Sequence, residues 1–304
     1  MRRVAPFFIA ISLVVGVFLT GCGGTGAGAA SSGKLRLVAI ESTWGSIAAQ
    51  LGGDRVEVTE LISNPAADPH DYEPTSDDAR SLAATQLAIV NGLGYDAWAS
   101  KLLEANTSEG REVIDVGDVL GLEDGDNPHQ WYSPPAVRRV AARIAAAYAA
   151  ADPDHAAYFR DQLRRFERDG LHEYDDLIAR IRSRYGGARV GASESIVGPL
   201  ARALGLRLIT PAGFLDAVSE GTEPTPADKV TVDRQIADHQ IAVWVYNTQN
   251  ATPDVRRLST AAEAAGIPIA TVTETPTPEG VSFEDWQVRQ LRELERALAR
   301  SRER

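Results

Sequence analysis

The chain has 304 residues, 44% of them hydrophobic, and a formal net charge of −11. That composition suits one large or two medium globular domains, and the acidic balance argues against a nucleic-acid partner, which needs a basic stripe. The single cysteine, Cys22, lies near the N-terminus, so the folded part has neither disulfides nor thiolate metal sites, and any ion there is held by nitrogen and oxygen.

The chain opens MRRVAPFFIAISLVVGVFLTGC. Arg2 and Arg3 precede an apolar run from Phe7 to Leu19 that is too short to span a bilayer comfortably. This is the layout of an export signal over residues 1–21. Its close, Leu19-Thr20-Gly21-Cys22, resembles the bacterial lipoprotein box. That resemblance implies that Cys22 is acylated, becomes the first mature residue and anchors the protein to the extracytoplasmic face of the cell membrane. GGTGAGAASSG then forms a flexible tether over 22–33, and folding begins near Lys34.

From there strand-like and helix-like runs alternate. LRLVAI (35–40), RVEVTELI (55–62), LAIVNG (87–92) and EVIDV (112–116) are short and rich in Val, Ile and Leu, as strands of a covered parallel sheet are. Helices are expected over 46–53, where glycine closes the run, and 76–85, with Ser76 as N-cap and two acids in the first turn. Pro134 and Pro135 open an alanine-rich helix reaching Ala151. Together these define a first lobe over 34–153.

Residues 154–185 differ from their surroundings. The segment has no Pro and one Gly, and its apolar stripe (Phe159, Leu163, Phe166, Tyr174, Leu177, Ile181) follows helical periodicity apart from a skipped turn at Gly170. A helix of about 30 residues is about 45 Å long, more than a connector within one α/β domain needs. It is therefore expected to link two lobes; the alternative is two ordinary helices broken at Gly170. Strands resume at 188–193, 206–210, 241–247 and 267–273, with helices over 195–205, 226–238, 253–265 and 283–300, giving a second lobe over 186–304. The expected class is α/β, two Rossmann-like lobes with mainly parallel sheets joined by one long linking helix.

Two of the five histidines have matching settings. His70 stands in D-P-H-D-Y after a strand, and His129 in N-P-H-Q-W-Y before the helix opened by Pro134. Proline before each imidazole reduces the entropy of holding it in place. Both loops leave the carboxyl end of a strand, the edge where open α/β sheets bind ligands. One such histidine reads more simply as a loop residue paired with a nearby carboxylate, but the repeated Pro-His favours a shared ligand. His155, after D-P-D at a helix start, reads as solvated; His172, mid-helix beside acids, and His239, before a buried strand, have no supporting partner in the sequence. The five tryptophans, Trp44, Trp98, Trp131, Trp244 and Trp286, read as packing residues rather than cleft lining.

DPHDYEPT and NPHQWYSPP resemble the two metal-binding loops of the solute-binding lipoproteins of zinc and manganese ABC transporters. The resemblance covers essentially the whole mature chain. It implies two α/β lobes joined by a rigid helix, with a metal ion in the cleft between them, and it puts the first two ligands on His70 and His129. The third ligand in that family is a His or Glu soon after the first strand of the second lobe, which here falls on Glu194 in VGASESIVG. Without the resemblance, Glu194 reads equally as a carboxylate at a helix N-terminus. The fourth, usually Asp after a late strand, falls on Glu274 in IATVTETPTPEG. Glu replaces Asp there, leaving Asp285 and Glu279 as fallback candidates.

Two imidazoles and two carboxylates match the charge of one divalent cation, the transported ligand. Tetrahedral zinc fits such a set, and manganese(II) fits if the carboxylates bind through both oxygens. Two acids in the third and fourth positions, and the lack of extra histidines in GLEDGDNPHQ, favour Mn2+ over Zn2+, with Fe2+ third. The implied partners are a cognate ABC permease with its ATPase, and the membrane through Cys22; the protein itself is expected to be a monomer and not an enzyme. A zinc hydrolase is disfavoured because neither H-E-x-x-H nor G-x-S-x-G occurs. A surface adhesin of the same fold is the other alternative, and a cobalamin or siderophore binder would not need converging histidines.

Overall fold

In each half of the chain, four short apolar runs pair into a fully parallel sheet, as described by a computed structural model covering residues 33–64 and 72–303. The export signal, Cys22 and His70 lie outside the described residues. The first sheet contains β1 (Leu35–Glu41), β2 (Val56–Ile62), β3 (Leu87–Val90) and β4 (Glu112–Asp115), in the order β2-β1-β3-β4. The second contains β5 (Arg189–Ala192), β6 (Arg207–Leu208), β7 (Val243–Asn247) and β8 (Ile269–Val272), in the order β6-β5-β7-β8. The two sheets are wound identically although their sequences show no repeat. In both, the strand order reverses beside the first strand, and the crevice at the carboxyl ends of that switch point is where such sheets place ligands.

Helices cover the sheets because every crossover between parallel strands needs one. In the first half these are α1 (Ser42–Gly52), α2 (Ser76–Ala83), α3 (Ala97–Ala105), α4 (Val116–Leu120) and α5 (Pro134–Ala151). α1 begins four residues before the expected start, because Ser42 follows directly on β1. The cap of α2 is Thr75 rather than Ser76: the Asp78 N–H donates to its hydroxyl at 3.3 Å, and the Asp78 carboxylate accepts the Thr75 N–H at 2.7 Å.

The linking segment is less regular than one helix. After a single 3-10 turn come α6 (Ala156–Arg165), a π turn over Phe166–Gly170, and α7 (His172–Tyr185). The N–H of Leu171 donates to the carbonyl of Phe166, five residues back, at 2.9 Å. This wider turn absorbs the step that the apolar stripe skips, so Phe159, Phe166, Tyr174, Leu177 and Ile181 are all buried.

The second half adds α8 (Val197–Leu204), α9 (Ala212–Ser219), α10 (Pro226–Ala237), α11 (Pro253–Ala264) and α12 (Phe283–Arg302). α12 packs on α7 and β8 and reaches α1 of the other half. One continuous apolar core therefore runs from Leu37 and Trp44 through Tyr148, Phe159 and Leu177 to Val190, Phe283 and Leu298. Trp44, Trp131, Trp244 and Trp286 lie in the interior. His155 pairs with Asp152, and His172 with Asp176, both near the surface.

One charged side chain is seated where the halves meet. Glu60 on β2 lies across α1 at Gly45, where a Cβ would fall 2.5 Å from Glu60 Cγ. A mid-helix glycine costs about 1 kcal/mol relative to alanine, and here it makes room for that carboxyl. Burial, and then the negative Glu279 from the loop after β8, push Glu60 up to about 7. An acid raised in the folded state stabilises it at low pH and loses that contribution as pH climbs through the raised value. Glu60→Gln should therefore melt a few degrees above wild type at about pH 8 and converge with it at about pH 5. Thermal unfolding at both pH values checks this, and an equal difference at both would exclude titration as the cause.

Candidate functional site

The carboxyl ends of the strands bring together polar side chains from both halves. His129 follows Pro128 and precedes a single 3-10 turn, Gln130–Tyr132, that leads into α5. Its ring is wholly buried, edge-on to Trp131 at 5.3 Å and to Tyr95 at 5.9 Å between centroids. Nδ1 lies 3.1 Å from Asn127 Oδ1, which also accepts the His129 backbone N–H at 3.0 Å. The Asn127 amide is committed to the Ser195 carbonyl at 2.7 Å, so its oxygen faces the imidazole and Nδ1 must be the donor. That tautomer leaves the Nε2 lone pair toward Glu274, whose Oε2 is 3.8 Å away.

Glu274 follows β8 and is 2% exposed. Its Oε2 accepts the Tyr95 hydroxyl at 2.6 Å, and its Oε1 accepts the Asn247 amide at 2.9 Å. The backbone is fixed as well: its N–H donates to Gln249 Oε1 at 2.5 Å and its carbonyl accepts Thr43 Oγ1 at 3.1 Å. Tyr95 and Thr43 come from the first half and Asn247 and Gln249 from the second, so Glu274 is held from both sides. Its fallbacks stand elsewhere. Asp285 is exposed in the first turn of α12, and Glu279 is exposed on the loop facing Glu60.

Glu194 follows β5 and Ser193 and is fully buried. α8 begins only at Val197, so Glu194 is not one of its first-turn acids. Its Oε1 accepts the same Asn247 amide that serves Glu274, and its Oε2 accepts Asn250 Nδ2 at 2.8 Å. The orientation of Asn247 is settled by its other end, where Oδ1 accepts the Gln249 N–H at 3.0 Å. One amide thus joins the two acids.

Of the four sequence candidates, the structure brings His129 and Glu274 into direct proximity and joins Glu194 to them through Asn247, while His70 lies outside the described residues. Among the described residues alone, no three His, Cys, Asp or Glu side chains form a complete ligand group. A cleft of about 790 Å³ lined by Tyr95, Asn127, Pro128, Ser195, Gln249 and Asn250 opens beside the cluster. Sequence reasoning missed Tyr95, Asn127, Asn247 and Asn250. YNTQN at the carboxyl end of a strand was the available signal for the last two, because that edge is where ligand-holding polar groups collect.

The donor set is imidazole nitrogen and carboxylate oxygen, which suits a borderline or hard divalent cation. Among the described residues no helix is long and apolar enough to cross a membrane.

Comparison with known proteins follows the same line. Residues 37–297 match the family described as zinc-uptake complex component A, periplasmic. The manganese-binding lipoprotein MntA of Halalkalibacterium halodurans is 29% identical over 184 residues, 59% of this chain and 59% of that protein. The manganese ABC transporter substrate-binding lipoprotein PsaA of Streptococcus mitis is 23% identical over 88% of each chain. Among solved structures, FpvC of Pseudomonas aeruginosa in complex with Mn2+ superposes with a TM-score of 0.72 at 22% identity, covering 88% of this chain and 99% of that one. The Cd-bound periplasmic metal binding protein of Candidatus Liberibacter asiaticus gives 0.73 at 21%, covering 87% and 100%. At these identities the structural likeness establishes the fold.

Removing the shared amide tests this geometry. Asn247→Ala takes a donor from each buried acid and is expected to cost about 2–3 kcal/mol of stability in the ion-free protein. Asn247→Asp sets a third carboxylate against the other two, so it should be more destabilising near neutral pH and recover as pH falls. Denaturant unfolding across pH measures both.

Proposed function

The chain belongs to the periplasmic zinc-uptake complex component A family, and from that premise we propose that it captures a divalent transition-metal ion between its halves and delivers it to the permease of an ABC transporter. The observation that carries this reading is the buried approach of His129 Nε2 to Glu274 Oε2, 3.8 Å apart. These two atoms come from opposite halves, and an ion with bonds of about 2.0–2.2 Å to nitrogen and oxygen would sit between them. Glu194 supplies the third ligand and His70 the fourth, giving two neutral imidazoles and two carboxylates.

The chain's own residues do the work of preparing the site. Asn127 holds the imidazole in the tautomer whose Nε2 can accept an ion. Asn247, Asn250 and Tyr95 hold the carboxylates before the ion arrives. An incoming hydrated cation therefore exchanges water for oriented ligands, and no bond of the cargo is made or broken other than coordination. Manganese(II) is the first-choice cargo, because two carboxylates that can bind through both oxygens allow a coordination number above four; zinc is second. Relatives named as manganese-binding lipoproteins support that order.

The single apolar core shared by both halves argues against a wide hinge. Release then proceeds by movement of a ligand-bearing loop when the permease engages. Cys22, acylated, keeps the carrier on the extracytoplasmic face of the membrane as a monomer, next to a permease and its ATPase.

Metal analysis of the purified full-length protein, with competitive titration of Mn2+ against Zn2+, tests the reading. His70→Ala, His129→Ala, Glu194→Ala and Glu274→Ala should each lose more affinity than the roughly tenfold to hundredfold typical of losing a supporting partner. Wild-type affinity in the His129 variant would remove the basis of the assignment.

A further inference from the structure

A second buried acid cluster lies at the carboxyl edge of the first sheet, away from the candidate ligands. Glu41 ends β1 and is 4% exposed; neither of its carboxyl oxygens receives a hydrogen bond from a donor in the structure. Within hydrogen-bonding reach is the carboxyl of Asp96, itself 1% exposed, immediately before α3. The other charged group facing Glu41 is Asp115, at the end of β4.

Two carboxyls in contact and out of water do not readily both ionise, so one proton lies between them. The hydrogen bonds decide which acid carries it. Asp96 accepts the Asn91 N–H on Oδ2 at 2.7 Å and the Gly92 N–H on Oδ1 at 2.8 Å. Burial raises Asp96 too, but these two bonds, with one from Glu41, work against that rise, so Asp96 is the acid of the pair that ionises first. Glu41 is therefore the neutral acid, and its O–H donates to Asp96.

The turn that Asp96 clasps is strained and leads to the ion site. Gly92, Leu93 and Gly94 all have positive φ, at 68°, 59° and 78°, and among the described residues only Leu93 and His239 hold a side chain there. Tyr95 follows, and its hydroxyl holds Glu274 at 2.6 Å. Asn91, at the start of the turn, donates from Nδ2 to the carbonyl of Pro128 at 3.1 Å, next to His129. We propose that Glu41 is a positioning residue for ion capture: by donating its proton to Asp96 it fixes the 91–96 turn, and through Tyr95 and Pro128 that turn sets Glu274 and His129. The last step of this chain rests on the ion-capture reading; the clasp itself does not.

Burial, and then the neighbouring Asp96, hold the Glu41 carboxyl well above the ordinary carboxylate range. The clasp is accordingly intact at low pH and is lost as pH rises through that elevated value. Glutamine separates this role from mere space filling, since its amide donates to Asp96 at every pH, whereas leucine cannot donate at all.

The test compares wild type, Glu41→Gln and Glu41→Leu as full-length proteins. In the ion-free state, hydrogen exchange at the Asn91 and Gly92 amides is followed from about pH 5 to about pH 9, each pH compared across variants. Wild type should lose protection at the alkaline end, Glu41→Gln should keep it, and Glu41→Leu should lack it throughout. Mn2+ affinity should fall about tenfold or more in Glu41→Leu and stay within about threefold of wild type in Glu41→Gln, whose advantage over wild type grows with pH. Identical protection in wild type and Glu41→Gln at every pH, or wild-type Mn2+ affinity in a folded Glu41→Leu, overturns the proposal. Should Glu41→Leu fail to fold, the exchange profiles of the other two proteins decide it. Failure of wild type to bind Mn2+ or Zn2+ would instead count against ion capture, and the exchange profiles would still judge the clasp.

Discussion

A single amide group, Nδ2 of Asn247, binds two carboxylates that water does not reach. Like charges in a low-dielectric interior repel strongly, and each loses its hydration on burial. Glu194 and Glu274 persist there because donors are aimed at them: Asn247 at both, Asn250 at one and Tyr95 at the other. Those donors come from β7, from the loop after it and from the turn before α3. The two sheets must therefore present their carboxyl ends to one another for the acids to be tolerated. The donors soften the repulsion and leave two carboxyls gathered beside the imidazole of His129.

The same constraint explains why the halves are not independent. α5, α6, α7 and α12 contribute to one apolar core that passes beneath both sheets. Polar ties cross it at the level of the site: Asn127 to Ser195, Thr43 to Glu274 and Tyr95 to Glu274. The π turn in the linking segment keeps Phe159, Phe166 and Tyr174 on the buried side despite the interruption at Gly170. A scaffold of this kind fixes the spacing of the loops that carry His129, Glu194 and Glu274.

The alternation of strands and helices was plain in the sequence because the inner strands, β3 and β7 above all, are short, apolar and covered on both faces, which leaves a near-continuous apolar run. Helix starts were less legible. α1 begins at Ser42 without a pause after β1, and α3, α4 and α9 are short segments whose formation depends on what they pack against rather than on propensity. The π turn showed only as a missing step in the apolar stripe at Gly170. Acids following strand ends could be named as candidates, but the amides that hold them could not. Asn and Gln are ordinary in loops, and only their hydrogen bonds distinguish Asn247 and Asn250 from the rest.

By itself the sequence determined the class of fold, the alternation of strands and helices in each half, the nitrogen-and-oxygen chemistry open to a chain whose one cysteine is Cys22, and a short set of imidazoles and carboxylates at strand ends. The fold class and the donor chemistry follow from local composition and periodicity, which a linear chain carries in full, whereas Glu194 and Glu274 were singled out by the resemblance to metal-binding lipoproteins. Tertiary structure alone decided which of the candidates meet. Glu274 rather than Asp285 or Glu279 is buried against His129; Glu194 turns inward instead of capping α8; and Glu41, unremarked in the sequence, is buried at the end of β1. The reason is that proximity, burial and the presence of a donor are relations between residues distant in the chain, and they exist only once both sheets are folded and facing.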